Sequence, residues 1–186
     1  FVFYLVYTVI YTMWIWDEMY ERGQSNLEIA KRITEMGYAK ETIWADSAVP
    51  KDIFTLKNGS GCSEEVYDND GNMSVVRYTL PNIRPSLKGA DSVSTGIKQM
   101  QSFHIIVHPR CKNFETELLN YSWALDKDGK TTDKPEKEWD HLLDACRYSL
   151  VSIFINVSVK EVEAKGGSEN STPTYKSRRV VATVTK

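Results

Sequence analysis

The hydrophobic pattern starts unbroken: residues 1–16, FVFYLVYTVIYTMWIW, contain no charge, no Gly and no Pro. The run is shorter than the ~20 residues a membrane-spanning helix needs. It also lacks the basic flank and small-residue cleavage site of a signal peptide. Its Val, Ile, Tyr, Phe, Trp and Thr are strand formers, so the stretch predicts sheet core; a start without Met predicts a piece of a longer chain. Next, Ser25-Asn26-Leu27-Glu28 has the spacing of a capping box. Leu27, Ala30, Ile33 and Thr34 then follow a helical period that closes near Gly37. Residues 42–45 form a short apolar strand ending at Asp46-Ser47, and Pro50 suits the first turn of a helix to about Lys57. The order strand, helix, strand, helix predicts an α/β layer fold with parallel neighbours.

Residues 58–73 turn polar and acidic, with Glu64, Glu65, Asp68 and Asp70 and no Lys or Arg, and read as a solvated surface loop. A strand follows at 75–80, irregular chain at 81–85, a helix beginning at Ser92 or Ser94 and a buried strand at 104–107 that Pro109 stops. Residues 112–120 read as helix and 121–125 as extended. Asp126-Lys127-Asp128-Gly129 is a hairpin turn, because its Gly falls at the fourth position and not at the sixth of a calcium loop. Residues 139–148 form the last clear helix, its apolar face made by Leu142, Leu143, Ala145 and Cys146. Period-two alternation at 153–162 and 175–184, broken by Gly166-Gly167, predicts a β-hairpin tail over residues 153–186, packed on or extending a domain of residues 1–152.

Composition narrows the class. With 186 residues, 41% of them hydrophobic and 26% charged, the chain can bury a full core without staples, which excludes disordered and disulfide-scaffold classes. A formal charge of -2 leaves any nucleic-acid contact to local basic patches. One lies at Arg77, Arg84, Lys88 and Lys98 against Asp91; a second lies in the tail, where Lys165, Lys176, Arg178, Arg179 and Lys186 oppose Glu169. Cys62, Cys111 and Cys146 form no C-x-x-C pair, so neither a zinc site nor a disulfide framework is predicted, and a reducing compartment fits. No phosphate-binding G-x-x-x-x-G-K-[ST], G-x-G-x-x-G or G-x-S-x-G occurs.

Two places bring carboxylates where a metal could use them. Asp46 ends an apolar strand, and the carboxyl ends of strands in open α/β sheets are the usual ligand sites. In Asp140-His141-Leu142-Leu143-Asp144 the i, i+3 and i, i+4 spacings turn both Asp residues and His141 toward one helix face, an oxygen-rich set that suits Mg²⁺ or Mn²⁺. As bare patterns, Asp46 and Asp140 read equally as helix caps or dipole partners, and His141 as a half-exposed surface residue.

The blocks Ile43-Trp44-Ala45-Asp46-Ser47-Ala48, Lys88-Gly89-Ala90-Asp91-Ser92-Val93 with Gly96-Ile97, and Ile105-Ile106-Val107-His108-Pro109-Arg110-Cys111 come in a telling order. With Asn120-Tyr121-Ser122-Trp123, Asp128-Gly129-Lys130, Lys134-Pro135 and the run from Asp140-His141 through Asp144-Ala145-Cys146-Arg147-Tyr148, they resemble the C-terminal nuclease domain of tailed-bacteriophage terminase large subunits. Asp17-Glu18-Met19-Tyr20 and Ser25-Asn26 are similar to that family's second strand and first helix, so the blocks span residues 12–148.

The resemblance implies an RNase H-like mixed β-sheet flanked by helices. It also implies a metal-dependent endonuclease that cuts concatemeric viral DNA during genome packaging, with two Mg²⁺ or Mn²⁺ ions ~4 Å apart activating a water and stabilising the phosphate's charge. Carried over by position, Asp46 matches the acidic residue of the central strand, Asp144 that of the last helix, and His141 the histidine three before it; Asp140 joins them as a metal candidate from its helix spacing alone. Lys88, within a family block, leads the DNA-backbone candidates over Arg84, Arg77 and Lys98. The implied partners are double-stranded DNA, the portal protein, the small terminase subunit and an N-terminal ATPase domain in the full chain, with no membrane; the implied setting is the host-cell cytoplasm.

The family's first strand carries a G-x-D-x-G-like motif whose Asp bridges the metals, and residues 1–16 supply no acidic residue; Asp17 and Glu18 come one strand too late. The expectation is that 1–3 and 4–10 are pieces of strands whose polar connections are missing. A copy that has lost a ligand would instead be a non-catalytic module docking DNA or the portal, and a third reading is another RNase H-like nuclease such as a resolvase or integrase, which an ATPase domain ahead of residue 1 would argue against.

Overall fold

The computed structural model describes residues 2–9, 12–87, 92–164 and 178–184. In chain order the elements are β1 (Val2–Val9), β2 (Thr12–Tyr20), α1 (Asn26–Glu35), β3 (Thr42–Ala45), α2 (Pro50–Asn58), β4 (Ser63–Tyr67), β5 (Met73–Arg77) and β6 (Ile83–Pro85). There follow α3 (Ser92–Gln101), β7 (His104–Val107), α4 (Lys112–Asn120), β8 (Trp123–Leu125), β9 (Thr131–Pro135), α5 (His141–Ala164) and β10 (Arg178–Val184). One mixed sheet runs β6-β3-β10-β1-β2-β7. β3 is parallel to β6 and β10, β2 is parallel to β7, and β1 is antiparallel to both β10 and β2. The apolar opening is thus sheet, as its composition requires, but the expected division into pieces at 1–3 and 4–10 is not observed: β1 runs unbroken from Val2 to Val9.

A bulge divides the two layers. Ile15 pairs with Val6 and Asp17 with Leu5, which leaves Trp16 as an extra residue in β2 and exchanges the faces of the positions before and after it. Met13 and Ile15 accordingly join a core with Met100, Phe114, Leu142, Leu143 and Leu150, from α3, α4 and α5. Met19 joins the other core, with Ile29, Ala30 and Ile33 of α1, Ile53 and Leu56 of α2, and Ile43 and Ile83 of the sheet. Each fully buried Ile, Leu or Phe here contributes about 1.5–3 kcal/mol of transfer free energy.

Local chemistry explains most boundaries. In α1 the Glu28 amide donates to Ser25 Oγ (3.3 Å) and the Ser25 amide donates back to Glu28 Oε2 (2.7 Å), completing the expected capping box. Pro50 opens α2 and Gly59 closes it at φ 67°. A Cβ there would sit 2.7 Å from Thr79 Cγ2 and 2.9 Å from the Tyr78 carbonyl oxygen, so only Gly fits.

Three further expectations change. Residues 58–73 are not a plain loop, since β4 and β5 pair as an exposed hairpin. With neither face buried, this hairpin has no apolar and polar alternation to betray it. Residues 81–85 include the short strand β6, held parallel to β3. The expected β-hairpin over 153–186 is replaced by helix through Ala164, and β10 enters the main sheet between β3 and β1. Extending a helix already packed at 141–152 costs less than starting a new element, and that overrides the β-branched alternation of 153–162. The border expected between residues 152 and 153 therefore falls inside α5. All three cysteines are buried thiols, and burial pushes Cys111 up to about 12, with Glu18 and Asp17 adding to the shift.

Candidate functional site

Asp46 follows directly on β3, at its carboxyl end. It does not cap α2, whose N-cap is Val49 without a side-chain bond; its Oδ1 accepts instead from the Ala48 amide at 2.9 Å. The carboxylate is half-buried at the lip of the sheet, the position that strand-end chemistry uses. Beside it the Ser86 amide donates to the Ala45 carbonyl (2.7 Å), and the Leu87 amide donates to Ser152 Oγ of α5 (3.0 Å).

The second group gathers at the start of α5. The Asp144 amide donates to the Asp140 carbonyl (2.7 Å), so Asp140 stands at the cap position, and His141 Nδ1 lies 2.9 Å from Asp140 Oδ1. The His141 ring stacks on Tyr20 of β2, with centroids 6.2 Å apart. One turn on, Asp144 Oδ1 accepts from the guanidinium of Arg147 at 2.9 Å. Arg147 is 3% exposed, and α3 leaves room for it only because residue 96 is Gly.

The local field is negative. Tyr121 is pushed up to about 12, first by burial and then by the charge of Asp144, with Arg147 opposing and Asp140 and Glu117 adding. Tyr20 is raised by burial and by Glu117. Two carboxylates and an imidazole at one helix start match a hard divalent ion in donor type. Among the described residues, however, no three of His, Cys, Asp and Glu converge closely enough to hold one.

Two carboxylates that the pattern reading passed over organise this end of the sheet. Glu18 of β2 receives the amides of Asn113 (2.9 Å) and Phe114 (2.8 Å) and the Asn113 side-chain amide (2.9 Å), so it caps α4. Glu117 of α4 receives the amides of Leu142 (2.6 Å) and Leu143 (3.1 Å), and so caps α5. The sequence signal for Glu117 is its position three residues after the core residue Phe114, on the face that α4 buries. No local pattern points to Glu18.

Burial raises the Glu117 carboxyl from 4.5 to about 7, with the Asp140 charge in the same sense and the Leu143 and Leu142 amides opposing. Between these values the folded chain holds a proton that the unfolded chain has lost. The stability this group contributes is therefore complete below about pH 4.5 and lost as pH rises through about 7. In chelator, the parent is expected to lose up to ~3 kcal/mol relative to Glu117→Gln between about pH 5 and 8, measured by urea unfolding. Parallel pH profiles for the two proteins would contradict this.

Of the basic candidates, Arg77 on β5, Arg84 on β6 and Lys98 on α3 are all exposed, on three separate elements. Lys88 lies outside the described residues.

The family model described as the terminase RNase H-like domain matches residues 5–152. Among solved structures, the chain is similar to the g2p (large terminase) nuclease domain from the bacteriophage SPP1, a structure with bound Mn. The TM-score is 0.62 at 24% identity, covering 78% of this chain and 72% of that one, which shows a shared fold. No curated protein matches the chain. With a family match over most of its length and the mixed sheet flanked by helices, the chain belongs to the family of terminase RNase H-like domains.

Proposed function

We propose that this is the nuclease domain of a terminase large subunit, a metal-dependent endonuclease that cuts concatemeric viral DNA during packaging. Asp46 and Asp144, with His141 and Asp140 in support, would hold two Mg²⁺ or Mn²⁺ ions. The observation that carries the reading is the half-buried Asp140, His141 and Asp144 set at the start of α5, beside Tyr121, which burial first and the Asp144 charge second push up. Bound divalent ions would supply Lewis acidity, activating a water and stabilising charge on the scissile phosphate. Arg77, Arg84, Lys88 and Lys98 would follow the DNA backbone, giving sequence-independent affinity that falls with salt. The proposed setting is the host-cell cytoplasm, beside the portal, the small subunit and an ATPase domain of the same chain.

Asn is the substitution to use at both sites, because it keeps an oxygen acceptor for Ala48 or Arg147. On supercoiled plasmid in Mn²⁺, Asp46→Asn and Asp144→Asn are expected to nick ~100-fold or more slowly than the parent, since changes in outer-shell partners alone cost ~10–100-fold. Nicking at the parent's rate by either variant would overturn that residue's assignment.

A second reading, a non-catalytic module that docks DNA or the portal, is favoured by one observation: residues 1–16 supply no acidic residue for a first-strand ligand. A parent protein that neither nicks DNA nor gives saturable Mn²⁺ heat in calorimetry would select it.

A further inference from the structure

The first amides of a helix need acceptors, and a Ser, Thr, Asp or Asn at the cap position usually supplies them at no cost in buried charge. At α5 the amides of Leu142 and Leu143 instead reach a carboxylate 25 and 26 residues earlier in the chain, on another helix. Glu117 is 2% exposed, and its second oxygen, Oε1, is buried without a hydrogen bond among the described residues. Burying such a group is expensive, and merely ending a helix does not require it. What a distant cap adds over a local one is orientation. It ties the first turn of α5 to α4, and Glu18 ties α4 in turn to β2 through the Asn113 and Phe114 amides.

We infer that Glu117 is a positioning residue, which through the Leu142 and Leu143 amides sets the orientation of the α5 turn that carries His141 and Asp144. The inference rests on the proposed role of those two side chains, and its test separates the two claims. Amide exchange of Leu142 and Leu143, read by NMR, reports the cap whether or not a metal binds. Mn²⁺ affinity, read by calorimetry well below the melting temperature, reports the site.

Glu117→Ala is expected to lose protection at both amides and to weaken Mn²⁺ binding about ten- to hundredfold, the range seen when ligand-supporting partners are removed. Glu117→Gln, whose amide oxygen can accept the same two bonds, is expected to restore both readouts. Leu56→Ala, in the core on the other side of the sheet, is expected to lower the melting temperature but to leave the Mn²⁺ constant unchanged. If Glu117→Ala does not fold, Glu117→Asp takes its place, keeping the charge and shortening the reach by one methylene.

Parent-like Mn²⁺ affinity in the Ala or Asp variant, or equal weakening by Leu56→Ala, would overturn the inference. If the parent itself binds no Mn²⁺, the metal reading fails and the amide readout stands alone: retained protection in Glu117→Ala then overturns the positioning role, and lost protection supports it.

Discussion

Asp144→Ala is expected to lower stability by about 3 kcal/mol, because it removes a carboxylate hydrogen-bonded to a buried guanidinium. Arg147 is 3% exposed, while the Asp144 side chain is 24% exposed, so water reaches the acid far more readily than the base it neutralises. The Tyr148 ring, 4.5 Å from the guanidinium carbon, adds a cation–π contact. For a domain of this size the loss corresponds to a melting temperature lower by roughly 6–12 °C. Asp144→Asn keeps an oxygen 2.9 Å from the guanidinium and is expected to lose less than half as much. Thermal unfolding of the two variants beside the parent checks this. An Ala variant as stable as the parent would show that Arg147 does not depend on Asp144. The comparison also governs how nicking data are read, since an inactive Ala variant mixes lost chemistry with a loosened helix.

The second large effect belongs to a residue with no side chain. In an exposed helix interior, Gly→Ala stabilises by about 1 kcal/mol through helix propensity. At Gly96 the sign is expected to reverse, because a Cβ there would lie 2.0 Å from Arg147 Cγ and 2.6 Å from its Cδ. Arg147 has little freedom to withdraw, being buried and tied to Asp144. Overpacking of this kind costs about 1–3 kcal/mol, so Gly96→Ala is expected to unfold at lower urea than the parent. Moving Arg147 also moves the partner of Asp144, so nicking is expected to fall at temperatures where the variant is still folded. A stabilised Gly96→Ala variant would show that Arg147 has another place to go.

What the sequence made legible was local chemistry. Ser25 and Glu28 announce a helix start because the box lies within four residues, and Pro50 does the same for α2. The apolar runs at Thr42–Ala45 and His104–Val107 are strands because they are short, β-branched and flanked by breakers. The α5 start was legible as a set of donors, and Asp46 as a strand-end carboxylate. Whether Asp46 meets that set depends on long-range packing, which no spacing encodes. The β4 and β5 hairpin was hidden because a ribbon exposed on both faces needs no alternation, and α5 beyond residue 152 because its Val and Ile spacing serves either period. Glu18 and Glu117 act on amides 95 and 25 residues away in the chain, beyond any windowed pattern.

The extra residue at Trp16 has a consequence for the two acids that follow it. Asp17 receives the Tyr38 hydroxyl on the α1 side and lies 3.6 Å from Arg110, while Glu18 reaches across to the start of α4. Neighbours on a strand face opposite layers in any case, so the extra residue settles which acid faces which, each tethering a different wall to one central plank. The bulge acts as a sorting device: a single unpaired residue decides which acid each layer receives, and so where the scaffold beneath His141 and Asp144 is anchored.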